Sequence, residues 1–550
     1  MTFDARSGAS RWRERLSLSP ALLNLAVLIW ITATQNMTLW SRVWAPFPGH
    51  PVKAVIFAAT IVAFFHLILT LLAVRRMQKP VLVAMLMIGA VSSFYQDKLG
   101  ITIDREMIQN AMVTTVAEGK HLITLPFLLH VVLLGVLPSA VVIWVRVRRR
   151  SVVRAAMAWA GMVAAVLALF LGLFFSDSKL HMGTFREHKE ILAAHQPMAP
   201  IAGALRYARL MMHSANIVAA PLGRDAKAGP LLAATDKPVL LVIWAGETTR
   251  AQNWGLNGHV RDTTPELRRR GVVNFTDVTS CGTATATSLP CMFSHLTREE
   301  FSYTAGLSHE NLLDVLRHAG FRVEWWDNNT GHKNIADRAD ATGEMIRSHR
   351  QEAHCARGEC TDAVFLDFLK EKAATITQDT VLVFHQIGSH GPSYFLRYPP
   401  EMKGFAPACG TAVLTDCTAE ELALAYDNTI LYSDWVMAQS IDILEAATGV
   451  TPAMVYVSDH GESLGEGGLY LHGAPWFMAP EEQIKVPMVM WLSDRFEAAL
   501  GVTQDCLAAR SDEAVSHDNL FSTVLGMVDV RTEVRVPALD LTEGCRGPGG

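Results

Sequence analysis

The tetrapeptide Asp459-His460-Gly461-Glu462 concentrates two carboxylates and an imidazole on one turn. Adjacent Asp and His side chains can reach a single ion, and a glycine between such groups lets other backbone come close. Oxygen ligands with an imidazole suit Zn²⁺, at about 2.0–2.2 Å, better than Mg²⁺ or Mn²⁺. A second segment supplies a use for a metal. Cys281-Gly-Thr-Ala-Thr-Ala-Thr-Ser-Leu-Pro-Cys291 is rich in small hydroxyl residues and closed by cysteines. A hydroxyl at a helix N-terminus faces free N–H groups and the positive end of the dipole, a place that favours phosphate. A Thr hydroxyl there becomes a nucleophile once a metal lowers its pKa. A capping Ser/Thr run would look the same, and the pattern leaves Thr283, Thr285 and Thr287 equally eligible.

These residues need elements to carry them. From Pro238 onward, short apolar runs alternate with helical stretches. Strands are expected at Val239–Ile243, Arg322–Trp326, Thr380–Phe384, Ala453–Val457 and Pro487–Trp491, with helices at Glu310–Ala319 and Glu420–Glu445. Buried runs alternating with helices imply an α/β domain on a largely parallel sheet, whose ligand site lies beyond the carboxyl ends of its strands. The polar residues obey that rule. Glu247 follows the first run; Asp327, Asn328 and Lys333 the second; His385 and His390 the third; Asp459, His460 and Glu462 the fourth. One such residue means little, since caps and solvated loops are common after strands, but four strands converging is a pattern.

The first 176 residues read differently. Ala21–Trp40, Ala54–Val74, Val81–Tyr95, Leu122–Val145 and Ala155–Ser176 contain no Lys, Arg, Asp or Glu. Four have the length of about 20 residues that a bilayer demands. The shorter Val81–Tyr95 counts as a fifth span because the charges require an odd number. Segments 1–20, 75–80 and 146–154 carry twelve Lys and Arg, against five in 41–53 and 96–121. Positive loops stay cytoplasmic, so the N-terminus is expected inside and everything after Ser176 outside. All eight cysteines lie after residue 280, which agrees: disulfides form in an oxidising compartment. The expected pairs are Cys281–Cys291, Cys355–Cys360 and Cys409–Cys417; Cys506–Cys545 is left by elimination, and the sequence does not fix it. The domains expected are a five-helix membrane domain (1–176, with an outer loop 96–121), membrane-surface connector helices (177–235) and a catalytic domain (236–550). In the outer loop, Asn110, Thr114 and Glu118 recur at a spacing of four and would share one helix face, as a solvated helix or as a polar lip for a lipid headgroup. A net charge of −5 speaks against a nucleic-acid partner.

The motifs Gly246-Glu247-Thr248-Thr249-Arg250, Cys281-Gly282-Thr283-x-Thr285, Ser288-x-Pro290-Cys291-Met292-Phe293-Ser294, Gly388-Ser389-His390-Gly391-Pro392 and Ser458-Asp459-His460-Gly461-Glu462-Ser463-Leu464-Gly465-Glu466 resemble the lipid A phosphoethanolamine transferases of the alkaline phosphatase superfamily. The mobilised colistin resistance enzymes belong to that group. The resemblance covers nearly the whole chain and implies an alkaline phosphatase/sulfatase-like α/β/α sandwich. It implies Thr285 as nucleophile and zinc bound by Glu247, Thr285, Asp459 and His460. It places Lys333, His390 and His472 near the substrate phosphate, Glu462 at a second zinc, and Asn110, Thr114 and Glu118 at the ethanolamine headgroup. Thr249, His259 and Thr264 depart from the family's usual Ala, Tyr and Asn; none is an expected ligand. The implied reaction moves phosphoethanolamine from phosphatidylethanolamine through a phosphothreonine to a lipid A phosphate, in a monomer of the bacterial inner membrane, and confers polymyxin resistance. The competing readings are transfer to core sugar or periplasmic glucan, a membrane-anchored phosphatase, and a scaffold with a relic site.

Overall fold

The protein is described by a computed structural model covering residues 16–114, 116–148, 150–347, 354–356 and 358–546, without the side chains of Ala117 and Glu118. The chain forms two compact units, Met1–Asp104 with Ile123–Ala204, and Arg105–Leu122 with Leu205–Gly550.

The first unit is helical: α1 (Pro20–Thr34), α2 (Met37–Trp44), α3 (Pro51–Leu72), α4 (Gln78–Leu99), α5 (Leu125–Trp144) and α6 (Val152–Ser176). Ser19 caps α1 by accepting from the Leu22 amide, and Pro20 and Pro51 open α1 and α3, where a missing N–H costs nothing. Among the described residues, four helices are long and apolar enough to cross a membrane, or five such spans if α1 and α2 count together. The expected single run Ala21–Trp40 needs correcting. It bends by 71° between α1 and α2. The cause is the pair Gln35-Asn36, whose amides are buried and spend their N–H groups on main-chain carbonyls. Gln35 donates to Leu86 and Leu134, and Asn36 to Ile31 and Gln196. Within a bilayer such groups have no water to turn to. The short run Val81–Tyr95 is the core of a full 22-residue helix, α4.

The second unit is built on an eight-stranded sheet. Its strands are β1 (Val239–Gly246), β2 (Val273–Thr279), β3 (Arg322–Asp327), β4 (Ala341–Glu344), β5 (Thr380–His385), β6 (Thr451–Ser458), β7 (Lys485–Leu492) and β8 (Ala514–Ser516), in the spatial order β8-β2-β7-β6-β1-β5-β3-β4. All neighbours pair in parallel except at β7, which is antiparallel to β2 and β6. All five expected strands are present. The antiparallel β7 brings its carboxyl end beside the start of β6, with Leu492 opposite Ala453, so Ser493, Asp494 and Arg495 beyond it lie away from the carboxyl ends of the parallel strands. Every residue of β1, β5 and β6 is buried, as strands covered on both faces require. Two helices matter below: α7 (Thr285–Met292) and the 28-residue α8 (Ala419–Ala446), started by a Thr418/Glu421 capping box. The three expected disulfides and Cys506–Cys545 are formed.

Candidate metal centre

Parallel strands β1 and β6 lie side by side, with Gly246 opposite Ser458. Their carboxyl ends therefore deliver Glu247 and Asp459-His460 to one point, though they are more than 200 positions apart. α7 begins with Thr285 as its first residue. The Thr285 hydroxyl lies 3.0 and 3.2 Å from the two Glu247 carboxylate oxygens and 3.2 Å from His460 Nε2. Among the described residues, Glu247, Asp459 and His460 form a buried cluster whose ligand atoms all lie within 4.8 Å of one another.

The hydrogen bonds around these atoms leave them facing inward. Asp459 Oδ1 accepts the amides of Thr248 (3.1 Å) and His460 (2.7 Å), while Oδ2 is buried with no hydrogen-bond partner. His460 Nδ1 lies 2.9 Å from the Gly461 carbonyl. That bond fixes the proton on Nδ1 and turns the Nε2 lone pair toward Thr285 and Glu247, as a metal-ligating imidazole requires. Burial, with His472 nearby, pushes the His460 pKa down to about 3, so the ring stays neutral. Burial and the Glu247 charge push Asp459 well up. Glu247 goes the other way: burial alone would raise it, but His385, His460 and His390 outweigh that and hold it well down. Two buried carboxylates competing for one proton beside a neutral imidazole and a hydroxyl form a donor set that a divalent cation satisfies. A β-carbon at Gly461 would collide with the Glu482 carbonyl, so only glycine fits this approach.

Of the three threonines, Thr283 donates instead to the Ala474 carbonyl (2.7 Å), whereas Thr285 meets Glu247 and His460. His472, Glu462 and His390 gather beside the cluster. The His472 ring centre is 4.4 Å from that of His460 and 5.2 Å from that of His390, and its Nδ1 is 3.1 Å from Glu462 Oε2. Lys333 bonds the Thr330 carbonyl and hydroxyl, each at 2.6 Å. Asn110 lies on the helix Arg105–Val113, with Thr114 just beyond it. The single helix face expected for Asn110, Thr114 and Glu118 is interrupted, since a separate short helix covers Val116–Gly119. Thr114 is not helical, and its hydroxyl donates to the Asn110 carbonyl at 2.8 Å. The Glu118 side chain lies outside the described residues. The segment nevertheless packs on the site, for a β-carbon at Gly473 would stand 2.8 Å from Met107 and 3.7 Å from Asn110 Nδ2. Of the departures from family pattern, His259 pairs with Asp427 at 3.1 Å, while Thr249 is buried beside the site, its amide donating to Ser458 Oγ at 2.8 Å and its hydroxyl to the Glu247 carbonyl at 3.3 Å.

Of the supporting residues, Asn329 and His517 were not singled out from sequence, whereas Asp327 and His385 were. Asn329 donates to Glu247 Oε2 (2.7 Å), and His385 stands between that carboxylate (3.5 Å) and Asp327 (2.8 Å). Burial would lower His385, but Asp327 and Glu247 outweigh it and raise it to about 9. Both His385 and Asp327 close a strand, the position at which the sequence pattern had placed them. His517 follows β8, a three-residue strand too short to read from sequence. Its Nδ1 accepts from the Cys281 amide (3.1 Å) and its Nε2 lies 2.9 Å from the Ser458 carbonyl, tying the loop that leads into α7 to β6.

Burial pushes His517 down to about 4. A depressed imidazole pKa means that the unfolded chain binds the proton better. The stabilisation is complete above the ordinary value of 6.5 and is lost as pH falls toward 4. The loss is about 3 kcal/mol at the lower end. Thermal melts between pH 7 and 4 should therefore fall less steeply for His517→Gln than for the parent, and equal slopes would refute this role.

Residues 61–212 match the phosphoethanolamine transferase EptA/EptB family, and 239–530 match the sulfatase family. Phosphoethanolamine transferase EptA of Escherichia coli K12 is 36% identical over 97% of this chain and 99% of its own length. Phosphatidylethanolamine transferase Mcr-1 of Escherichia coli is 36% identical over 95% and 97%. The solved integral membrane lipooligosaccharide phosphoethanolamine transferase A (EptA) of Neisseria meningitidis superposes with a TM-score of 0.92 at 33% identity, covering 97% of this chain and all of that one. With both segments matched and relatives this similar end to end, the chain belongs to the EptA/EptB family of phosphoethanolamine transferases.

Proposed function

We propose that this enzyme transfers phosphoethanolamine from phosphatidylethanolamine to a phosphate of lipid A through a phosphothreonine on Thr285. The observation that carries the reading is the convergence of the Thr285 hydroxyl with Glu247 and His460 at 3.0–3.2 Å, beside the unpartnered Asp459 Oδ2. The substrate classes follow the names of the relatives, a phosphatidylethanolamine transferase and a lipooligosaccharide phosphoethanolamine transferase. The charge asymmetry of the loops and the four disulfides support a cytoplasmic N-terminus and a periplasmic catalytic unit.

Glu247, Thr285, Asp459 and His460 would hold one zinc, and Glu462 would help to hold a second. Bound zinc lowers the pKa of the Thr285 hydroxyl and offsets charge on phosphoryl oxygens. Thr285 Oγ1 gives its proton to His390 or His472 and forms a bond to phosphorus as the bond to the glycerol oxygen breaks; the same histidine returns the proton to the departing diacylglycerol oxygen. A lipid A phosphate oxygen then attacks the same phosphorus, and the bond to Oγ1 breaks. Asn110, Thr114 and Glu118 receive the ethanolamine end and Lys333 the phosphate. The product carries less negative surface charge and binds cationic polymyxin less well.

Mass spectrometry of lipid A from cells with and without this chain tests the acceptor. A mass increment of phosphoethanolamine on a lipid A phosphate is the expected result. An unmodified lipid A, or an increment on core sugar or glucan, would overturn it.

A further inference from the structure

Glu359 occupies a junction that the chemistry above does not use. It sits on a two-strand hairpin, Cys355–Ala356 with Glu359–Cys360, closed by the Cys355–Cys360 disulfide. One carboxylate oxygen takes the loop that carries Asn110 and Thr114: His121 Nε2 lies at 2.7 Å and Lys120 Nζ at 3.5 Å. The other accepts from Arg397 at 2.9 Å, and the same buried guanidinium donates to the His390 main-chain carbonyl at 2.9 Å. Two residues beyond the hairpin, Asp362 accepts the amides of Ile387 and Gly388, each at 2.9 Å. The segment 359–362 thus grips the Gly388-Ser389-His390 turn at several points and the 105–122 loop at its far end.

We propose that Glu359 is a positioning residue that latches the 105–122 loop onto the catalytic unit and sets its register against His390. Charge-assisted bonds to His121 and Arg397 are short and directional. The disulfide ring limits how far the hairpin can move while Glu359 holds both partners. A loop whose own helices are short, Arg105–Val113 and Val116–Gly119, gains little order from itself. The latch supplies what local propensity lacks. The consequence for donor binding rests on the reading of Asn110 and Thr114 as headgroup contacts; the latch itself does not.

Hydrogen–deuterium exchange of the full-length protein in detergent separates the two. In Glu359→Gln and in His121→Ala, peptides covering 105–122 should exchange about tenfold faster or more, the effect of losing one charged hydrogen bond. Peptides over β6 should be unchanged. His121→Ala touches only the loop side and decides the matter if Glu359→Gln fails to fold. Unchanged exchange over 105–122 in the folded variants would overturn the latch. Steady-state kinetics with a fluorescent phosphatidylethanolamine should show a raised KM with kcat within about twofold and zinc content intact, since no zinc ligand or reacting group is altered. Fast exchange with an unaltered KM would keep the latch and sink the headgroup reading.

Discussion

Thr285→Ala will lose phosphoethanolamine transfer by at least about a thousandfold, the scale on which covalent catalysis collapses when its nucleophile is removed. Its hydroxyl is the group that meets both Glu247 and His460, and it starts a helix whose first N–H groups are free to face a phosphate. Thr285→Ser retains an oxygen on the same β-carbon and should retain measurable transfer. The covalent step has its own readout. Incubation with phosphatidylethanolamine and no acceptor should add the mass of phosphoethanolamine to the peptide containing Thr285, and Thr285→Ala should show no adduct. Full transfer by Thr285→Ala would end the assignment, since Thr283 is committed to the Ala474 carbonyl.

Glu247→Gln will lower zinc affinity by more than the ten- to hundredfold typical of an outer-shell partner, because it removes a charged ligand itself. The parent protein, stripped by a chelator, should lose transfer and recover it on adding zinc. Stripping should also lower the melting temperature. A ligand present at about a thousand times its dissociation constant stabilises the folded state by about 4 kcal/mol. Without a cation, Glu247 and Asp459 confront each other inside the protein and burial opposes charge on both. Inductively coupled plasma mass spectrometry gives zinc per chain, and calorimetry gives the shift. Wild-type zinc content in Glu247→Gln would remove Glu247 from the ligand set. Asn329 and His385 each approach Glu247 Oε2, so their removal should weaken zinc binding less than loss of Glu247.

Much of this site was legible because a parallel sheet converts a linear pattern into a spatial one. A buried run followed by a polar residue means, in such a sheet, a side chain at the common carboxyl edge. Glu247, Asp459 and His460 were found in that way, and Asp327 and His385 obey the same rule. His517 was not legible, since three residues make no recognisable strand. Its contacts with Cys281 and Ser458 span 236 and 59 positions. The bend at Gln35-Asn36 was hidden in an apolar run because hydropathy averages over neighbours. The partners that decide it, Leu86, Leu134 and Gln196, come from other helices and the connector.

Sequence alone determined the chemical inventory: which strands end in metal-competent groups, which runs are apolar and long enough to span, and which cysteines close together in the chain pair. Those properties are set by side-chain type and short-range periodicity, which act within a few residues. Tertiary structure decided which threonine faces the cluster, which His460 nitrogen keeps its lone pair inward, and that Glu359 joins a distant loop to the His390 turn. Each choice depends on hydrogen bonds between groups far apart in the chain, whose geometry exists only once the sheet has closed around them.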